Sequence, residues 1–194
     1  MVRILPIQQI YCMKIVLLVA LPNELPKEKI PTDVDVYYTG VGKINAAIRT
    51  TEIVQKYKKE DTLIINFGSA GSSIFNKGEI VKCSIFVQND MDASPFAEKC
   101  ITPFDDLVYP FTEHRYIKFG EGNICYTQDK FEHNPIGVCD MEAYAIAKVC
   151  KIYGFNFSSY KFISDGGNPE DWEVNHDKGV DEFIKILKAL MVER

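Results

Sequence analysis

Apolar residues run unbroken from Ile15 to Leu21 and stop at Pro22 and Asn23. A block this short, without alternation, predicts a strand over 13–20 that is covered on both faces, as in a parallel sheet. A second strand is predicted over 34–38, after which Gly40-Val41-Gly42 turns the chain into a helix over about 43–59. Residues 62–67 read as a third buried strand closing on a turn, Gly68-Ser69-Ala70-Gly71, whose small side chains let the backbone approach something closely. Further strands are predicted over 79–87, 116–119 and 123–127, with another leading into Asp140. Met141, Ala145, Val149 and Ile152 then recur at helical spacing, and Asp140 is placed to cap that helix. A last strand over 159–164 ends at Asp165-Gly166-Gly167. Val180, Phe183, Ile184, Leu187, Leu190 and Met191 form the clearest amphipathic helix, one suited to covering a sheet.

Strands alternating with helices predict a single-domain three-layer α/β/α fold with a mixed, mostly parallel sheet. Residues 1–12 carry no such pattern and are expected to be an N-terminal extension to a domain spanning 13–194, with Met13 as an alternative start. Between 89 and 113 the pattern dissolves into prolines (Pro95, Pro103, Pro110) and aromatic residues, the composition of a functional loop and not of a tether.

Composition narrows the function. With 46% hydrophobic, 12% aromatic and 25% charged residues in 194, the chain is an ordinary globular domain able to bury a core unaided. A net charge of -5, from 22 basic against 27 acidic residues, leaves no basic surface for nucleic acid or an anionic membrane. The cysteines (Cys12, Cys83, Cys100, Cys125, Cys139, Cys150) never form a C-x-x-C pair and read as reduced thiols. His114, His133 and His176 lack metal-ligand spacing. Neither a metal nor another cofactor is expected. The apolar run is far short of the roughly 20 residues of a membrane helix, and no cleavage site follows it, which predicts a cytoplasmic protein.

In parallel sheets ligands collect at the carboxyl ends of strands. Those ends carry Glu24, Ser69, Asp140, Glu142 and Asp165. Each acid alone also reads as a helix-start carboxylate, an N-cap or a turn former. Together they form a convergence of carboxylates, in which repulsion and burial let one act as an acid while another acts as a base. Gly40-Val41-Gly42 also invites a dinucleotide site, but Asn45 stands where a third glycine is required.

Several motifs occur in order: Thr39-Gly40-Val41-Gly42-Lys43-Ile44-Asn45, Asn66-Phe67-Gly68-Ser69-Ala70-Gly71, Asp140-Met141-Glu142-Ala143 and Ile163-Ser164-Asp165. In these residues the chain resembles the purine-type nucleoside phosphorylase superfamily, and within it most the 5′-methylthioadenosine/S-adenosylhomocysteine nucleosidases and related small nucleosidases. The resemblance extends from Met13 to the last helix. It implies a nucleosidase that hydrolyses the N-glycosidic bond of a purine-type nucleoside. By it, Glu24 activates the attacking water, Glu142 grips the ribose hydroxyls with Met141 packed on the sugar, and Asp165 delivers a proton to purine N7. It also implies that Phe131 stacks on the base and that Ser69 lies near the sugar and nucleophile. Ser164, Asp140, Phe96 and Trp172 are further candidates for the same site.

The phosphorylases of this family place an arginine after the first strand, where Leu21-Pro22-Asn23-Glu24-Leu25-Pro26 has none. Water is therefore expected as the nucleophile in place of phosphate. The 24–39 stretch has room for one strand where the familiar nucleosidases carry an extra hairpin. The segment 126–131 also differs from the family's smaller Ser-Gly-Asp type, and these changes bear on the base and the 5′ group. The expected partners are a nucleoside, water and a second copy of the chain, since the aromatic 96–111 region lacks an obvious cover in so small a domain.

Overall fold

The computed structural model describes residues 13–109 and 115–192. The expected extension 1–12, with Cys12, and His114 and Pro110 of the aromatic loop lie outside them. Its framework is an eight-stranded sheet. β1 (Lys14–Val19) pairs in parallel with the edge strand β2 (Asp35–Tyr38) and with β3 (Thr62–Gly71), and β3 pairs in parallel with β8 (Asn156–Asp165). β8 also pairs antiparallel with β4 (Ile80–Gln88), which continues into β6 (Asn123–Thr127) and β7 (Val138–Asp140) in parallel, with the short β5 (Ile117–Lys118) antiparallel at its flank.

Two helices cover one face, α1 (Lys43–Val54) and α3 (Ala143–Tyr153), where Ala46, Ile53, Ile146 and Cys150 meet Val16, Leu18 and Ile64. The opposite face is covered by α5 (Val180–Val192), whose Val180, Phe183 and Leu187 pack on Ile15, Leu17, Val19, Ile65 and Phe67. Successive β1 residues thus feed opposite layers, which is why the run shows no alternation. Asn66 ties the centre: its Nδ2 donates to Leu18 O at 3.1 Å, and its Oδ1 accepts from Ser159 Oγ at 2.8 Å. The three-layer arrangement with a mixed, mostly parallel sheet is the expected one.

Several details differ from the pattern reading. Gly68 to Gly71 is strand and not turn, because β8 pairs along it as far as Gly71. α1 ends at Val54, ahead of the expected 59, where Tyr57 is drawn to β2 by hydrogen bonds of its hydroxyl with Tyr37 and Asp35. Two short helices were not anticipated, α2 (Asp105–Val108) inside the aromatic loop and α4 (Pro169–Asn175) after the last strand.

One topological feature positions the site. β3 and β7 meet antiparallel in a single pairing, of Gly71, the last residue of β3, with Cys139, the middle residue of the short β7. β1, β3 and β8 therefore run toward this point from one side and β6 and β7 from the other, so two sets of strand carboxyl ends face each other across a cleft.

Candidate active site

The cleft encloses about 230 Å³ and is lined by Glu24, Ser69, Phe131, Met141, Glu142 and Asp165, all six primary candidates, together with Asp140 and Trp172. Ser164 lies behind it, fully buried, with its hydroxyl donating to Asp165 Oδ2 at 2.8 Å. Phe96 is 79% exposed and does not line the cleft. Within one chain this residue therefore stays apart from the others.

Glu24 follows β1 and is buried. Its Oε1 accepts the Ser69 amide at 3.0 Å and the Ser69 hydroxyl at 2.6 Å, and its Oε2 accepts Leu21 N at 3.2 Å. Asp165 closes β8, where Ile163 stands opposite Ala70 and Asp165 opposite Gly71. Ser164 is thus the extra residue of a bulge, a device that re-aims the following side chain. Asp165 Oδ1 accepts Gly167 N at 2.8 Å, and a Cβ added at Gly71 would stand 2.9 Å from that oxygen. Glycine at 71 is needed for this close approach, not for turning the chain.

Glu142 is buried, and its Oε1 accepts Gly42 N at 2.9 Å. Burial, then the nearby Asp140 charge, push its carboxyl up to about 8. The next amide, Lys43 N, donates to Asp129 Oδ1 at 2.8 Å. At the Gly40-Val41-Gly42 turn, with φ of 80° and 92° at its glycines, the Gly42 amide and the following Lys43 amide thus go to the protein's own carboxylates, and the Gly40 amide goes to Ala20 O. A dinucleotide phosphate has no place there.

Asp140 sits at the end of β7 and acts as a hub. Its Oδ1 accepts Thr127 Oγ1 at 2.5 Å, and its Oδ2 accepts Ala143 N at 2.8 Å and Glu142 N at 3.2 Å, so it takes up amides at the start of α3 although the N-cap position falls on Glu142 and not on Asp140 as expected. The same oxygen lies 2.7 Å from Lys161 Nζ. Burial works against the Asp140 carboxylate, but Lys161 and the hydrogen-bond donors outweigh it and hold it below its usual range. Burial likewise opposes the Lys161 ammonium, and the surrounding acids, Asp140 foremost, raise it above its ordinary value.

Lys161 was missed by sequence reasoning, although a lysine inside the apolar strand Tyr160-Lys161-Phe162-Ile163 is itself a signal, since a charge buried there requires a partner. A Cβ at Gly68 would stand 3.7 Å from both its Nζ and Glu24 Oε1, although Lys161 does not itself line the cleft. Gln128, Lys130 and Glu132 also line the cleft. The Gln128 side chain is held by Asn89 at 2.6 Å and by Glu132 at 3.0 Å, which braces the loop carrying Phe131. Arg49 pairs with Glu52 and Arg115 with Glu98, and neither lines the cleft. Among the described residues no group of His, Cys, Asp or Glu is arranged to hold a metal ion, and no helix is long and apolar enough to cross a membrane.

A sequence model of the phosphorylase superfamily matches residues 32–191. The chain belongs to the phosphorylase superfamily. Within it, the 5′-methylthioadenosine/S-adenosylhomocysteine nucleosidase of Shewanella sp. (strain MR-7) is 31% identical over 184 residues, covering 81% of this chain and 74% of that protein. The corresponding protein of Shewanella halifaxensis is 31% identical over 187 residues, covering 81% and 76%. Among solved structures, the Helicobacter pylori 5′-methylthioadenosine/S-adenosylhomocysteine nucleosidase matches with a TM-score of 0.78 at 18% identity, over 94% of this chain and 98% of that one. Futalosine hydrolase of the same organism matches at 0.77 and 18%, again over 94% and 98%. These two structures share the fold of this chain.

Proposed function

We propose that the protein is a nucleosidase, hydrolysing the N-glycosidic bond of a purine-type nucleoside to free base and ribose. The observation that carries this reading is the meeting of Glu24, Glu142 and Asp165 in one cleft that no described arginine lines. Breaking an N-glycosidic bond builds positive charge on the sugar and negative charge on the base. Carboxylates at the sugar stabilise the first, and an acid at the base relieves the second.

In this scheme Glu24 takes a proton from water as the water oxygen bonds to the anomeric carbon. The bonding electrons leave with the base, and Asp165 supplies the proton that neutralises it at N7. Glu142 holds the ribose hydroxyls, Met141 packs on the sugar and Phe131 on the base. The superfamily relatives named for 5′-methylthioadenosine and S-adenosylhomocysteine support a thioether-bearing adenine nucleoside as the first substrate to try. Hydrolysis is favoured over phosphorolysis because, among the described residues, no arginine lines the cleft and the buried Lys161 is already committed to Asp140, leaving only the exposed Lys130 of the cleft wall to offset a phosphate.

The chain is further proposed to act as a homodimer in the cytoplasm. Ile44 and Ile48 on α1, and Phe96 and Leu107 on the aromatic loop, are 58–79% exposed and call for a cover. The free cysteines, four of them buried, fit a reducing compartment. The deciding experiment follows base release in the ultraviolet from 5′-methylthioadenosine, S-adenosylhomocysteine, adenosine, inosine and queuosine, with and without phosphate. Release independent of phosphate is expected. Phosphate-stimulated release with accumulation of ribose 1-phosphate, or no release from any member, would overturn the reading.

A further inference from the structure

Trp172 is the chain's single tryptophan, half-buried on α4 and part of the cleft wall. Its ring stacks on His176 with centroids 5.0 Å apart, and its Nε1 donates to Ser69 Oγ at 2.9 Å. An indole N–H can only donate, so Ser69 Oγ is the acceptor in this bond. The hydroxyl's own proton is then directed to Glu24 Oε1, 2.6 Å away. The resulting chain has one sense, from indole to hydroxyl to carboxylate, and each bond polarises the next.

α4 also holds the Glu24 loop at a second point. His176 Nδ1 lies 3.2 Å from Trp172 O and 3.1 Å from Glu173 O, so the ring's proton belongs on Nδ1. Nε2 is then free to accept from Asn23 Nδ2 at 3.1 Å, on the residue next to Glu24. The helix itself starts just past Asp165, capped by Asn168, whose Oδ1 accepts Glu170 N at 3.0 Å, and Asn175 Nδ2 donates back to Ser164 O at 3.1 Å. The segment from Asn168 to His176 therefore bridges the Glu24 loop and the end of β8, where the two proposed catalytic acids lie.

We propose that Trp172 is a positioning residue for Glu24, acting through Ser69. With the indole in place, Oε1 is pinned by both Ser69 donors. Oε2, which accepts only Leu21 N among the bonds described, is the oxygen left to meet the water. The alternative role, a flat wall against which the ligand packs, uses the same ring but not its N–H. The inference rests on the nucleosidase reading of Glu24, and its test separates the two.

The test is a cycle of W172F, S69A and the double variant, with base release giving kcat and KM and unfolding midpoints confirming that each is folded. Positioning through Ser69 predicts that W172F lowers kcat about tenfold while KM changes less than about threefold. Added to S69A, the same change lowers kcat by less than about twofold, because the bond it removes no longer leads anywhere. Equal losses on both backgrounds, or a raised KM with kcat intact, overturn the proposal. Since there is one tryptophan, the ¹⁵N-indole spectrum holds one side-chain resonance, which is expected to move upfield in folded S69A. A resonance that does not move overturns the proposal even where W172F fails to fold. An active wild type with W172F unchanged sinks the positioning role alone, whereas a wild type that releases no base sinks the nucleosidase reading as well.

Discussion

Lys161 Nζ stands 2.7 Å from Asp140 Oδ2 with both side chains buried, joining β8 to β7 beneath the cleft. The pair bridges the two sets of strands that meet at Gly71 and Cys139, and Asp140 in turn accepts the amides of Glu142 and Ala143 where the next helix begins. Removing one member of such a pair strands the other charge out of water, at a cost of about 3–5 kcal/mol. K161M is expected to lose stability on that scale in urea denaturation. K161M/D140N, which leaves no lone ion, should recover part of the loss. A single variant as stable as the wild type would show that the pair carries no such strain.

Glu142 makes stability depend on pH. Its carboxyl is raised from an ordinary 4.5 to about 8, by burial and then by Asp140. A raised folded-state value means the folded chain holds this proton more tightly than the unfolded chain. The contribution is complete below pH 4.5 and is lost as pH rises toward 8. E142Q, which cannot ionise, is expected to remove that part of the decline between those limits in a series of denaturation curves. An unchanged slope in the variant would place the ionisation elsewhere.

The proposed acid and base predict different failures. D165N keeps the shape of the side chain but has no proton to give at N7, so kcat should fall by about 10² to 10⁴ with KM little changed. E24Q should cost a similar factor, because an amide cannot take the proton of the attacking water. A chain in which either variant retains wild-type kcat assigns that role to another group.

The exposed apolar stripe of α1 gives the prediction for assembly. Ile44 and Ile48 are 71% and 58% exposed one helical turn apart. Wild type is expected at twice the chain mass by light scattering, and I44D/I48D at the chain mass, because aspartates buried at a contact would lose their water. A monomeric wild type at working concentration would refute the dimer.

What the sequence revealed, and what it hid, follows from how each feature is encoded. β1 and α5 were legible because their burial is written as local pattern, an apolar run in one and a helical stripe in the other. The acids at strand ends were legible because topology gathers such ends. α4 was not, since none of its seven residues is buried and no apolar stripe announces it. Gly71 reads as a turn former when seen alone, and only the Asp165 carboxylate lying against it shows that its smallness serves contact. The head-on meeting of β3 and β7, which brings Asp140 and Glu142 to face Glu24 and Asp165, depends on pairings between distant segments that no local window contains.

β8 pairs with β3 along one side and β4 along the other, and on it ride Ser159, Lys161 and Asp165. Side chains on a strand alternate between faces, so deleting one residue ahead of Lys161 would exchange the ammonium with its aromatic neighbours Tyr160 and Phe162. The core would then receive a charge without a counterion while aromatic rings entered the seat beside Asp140. In this strand the spacing of the chemistry and the spacing of the packing are one quantity. Its length is therefore closed to insertion and deletion in a way that the loops around the cleft are not.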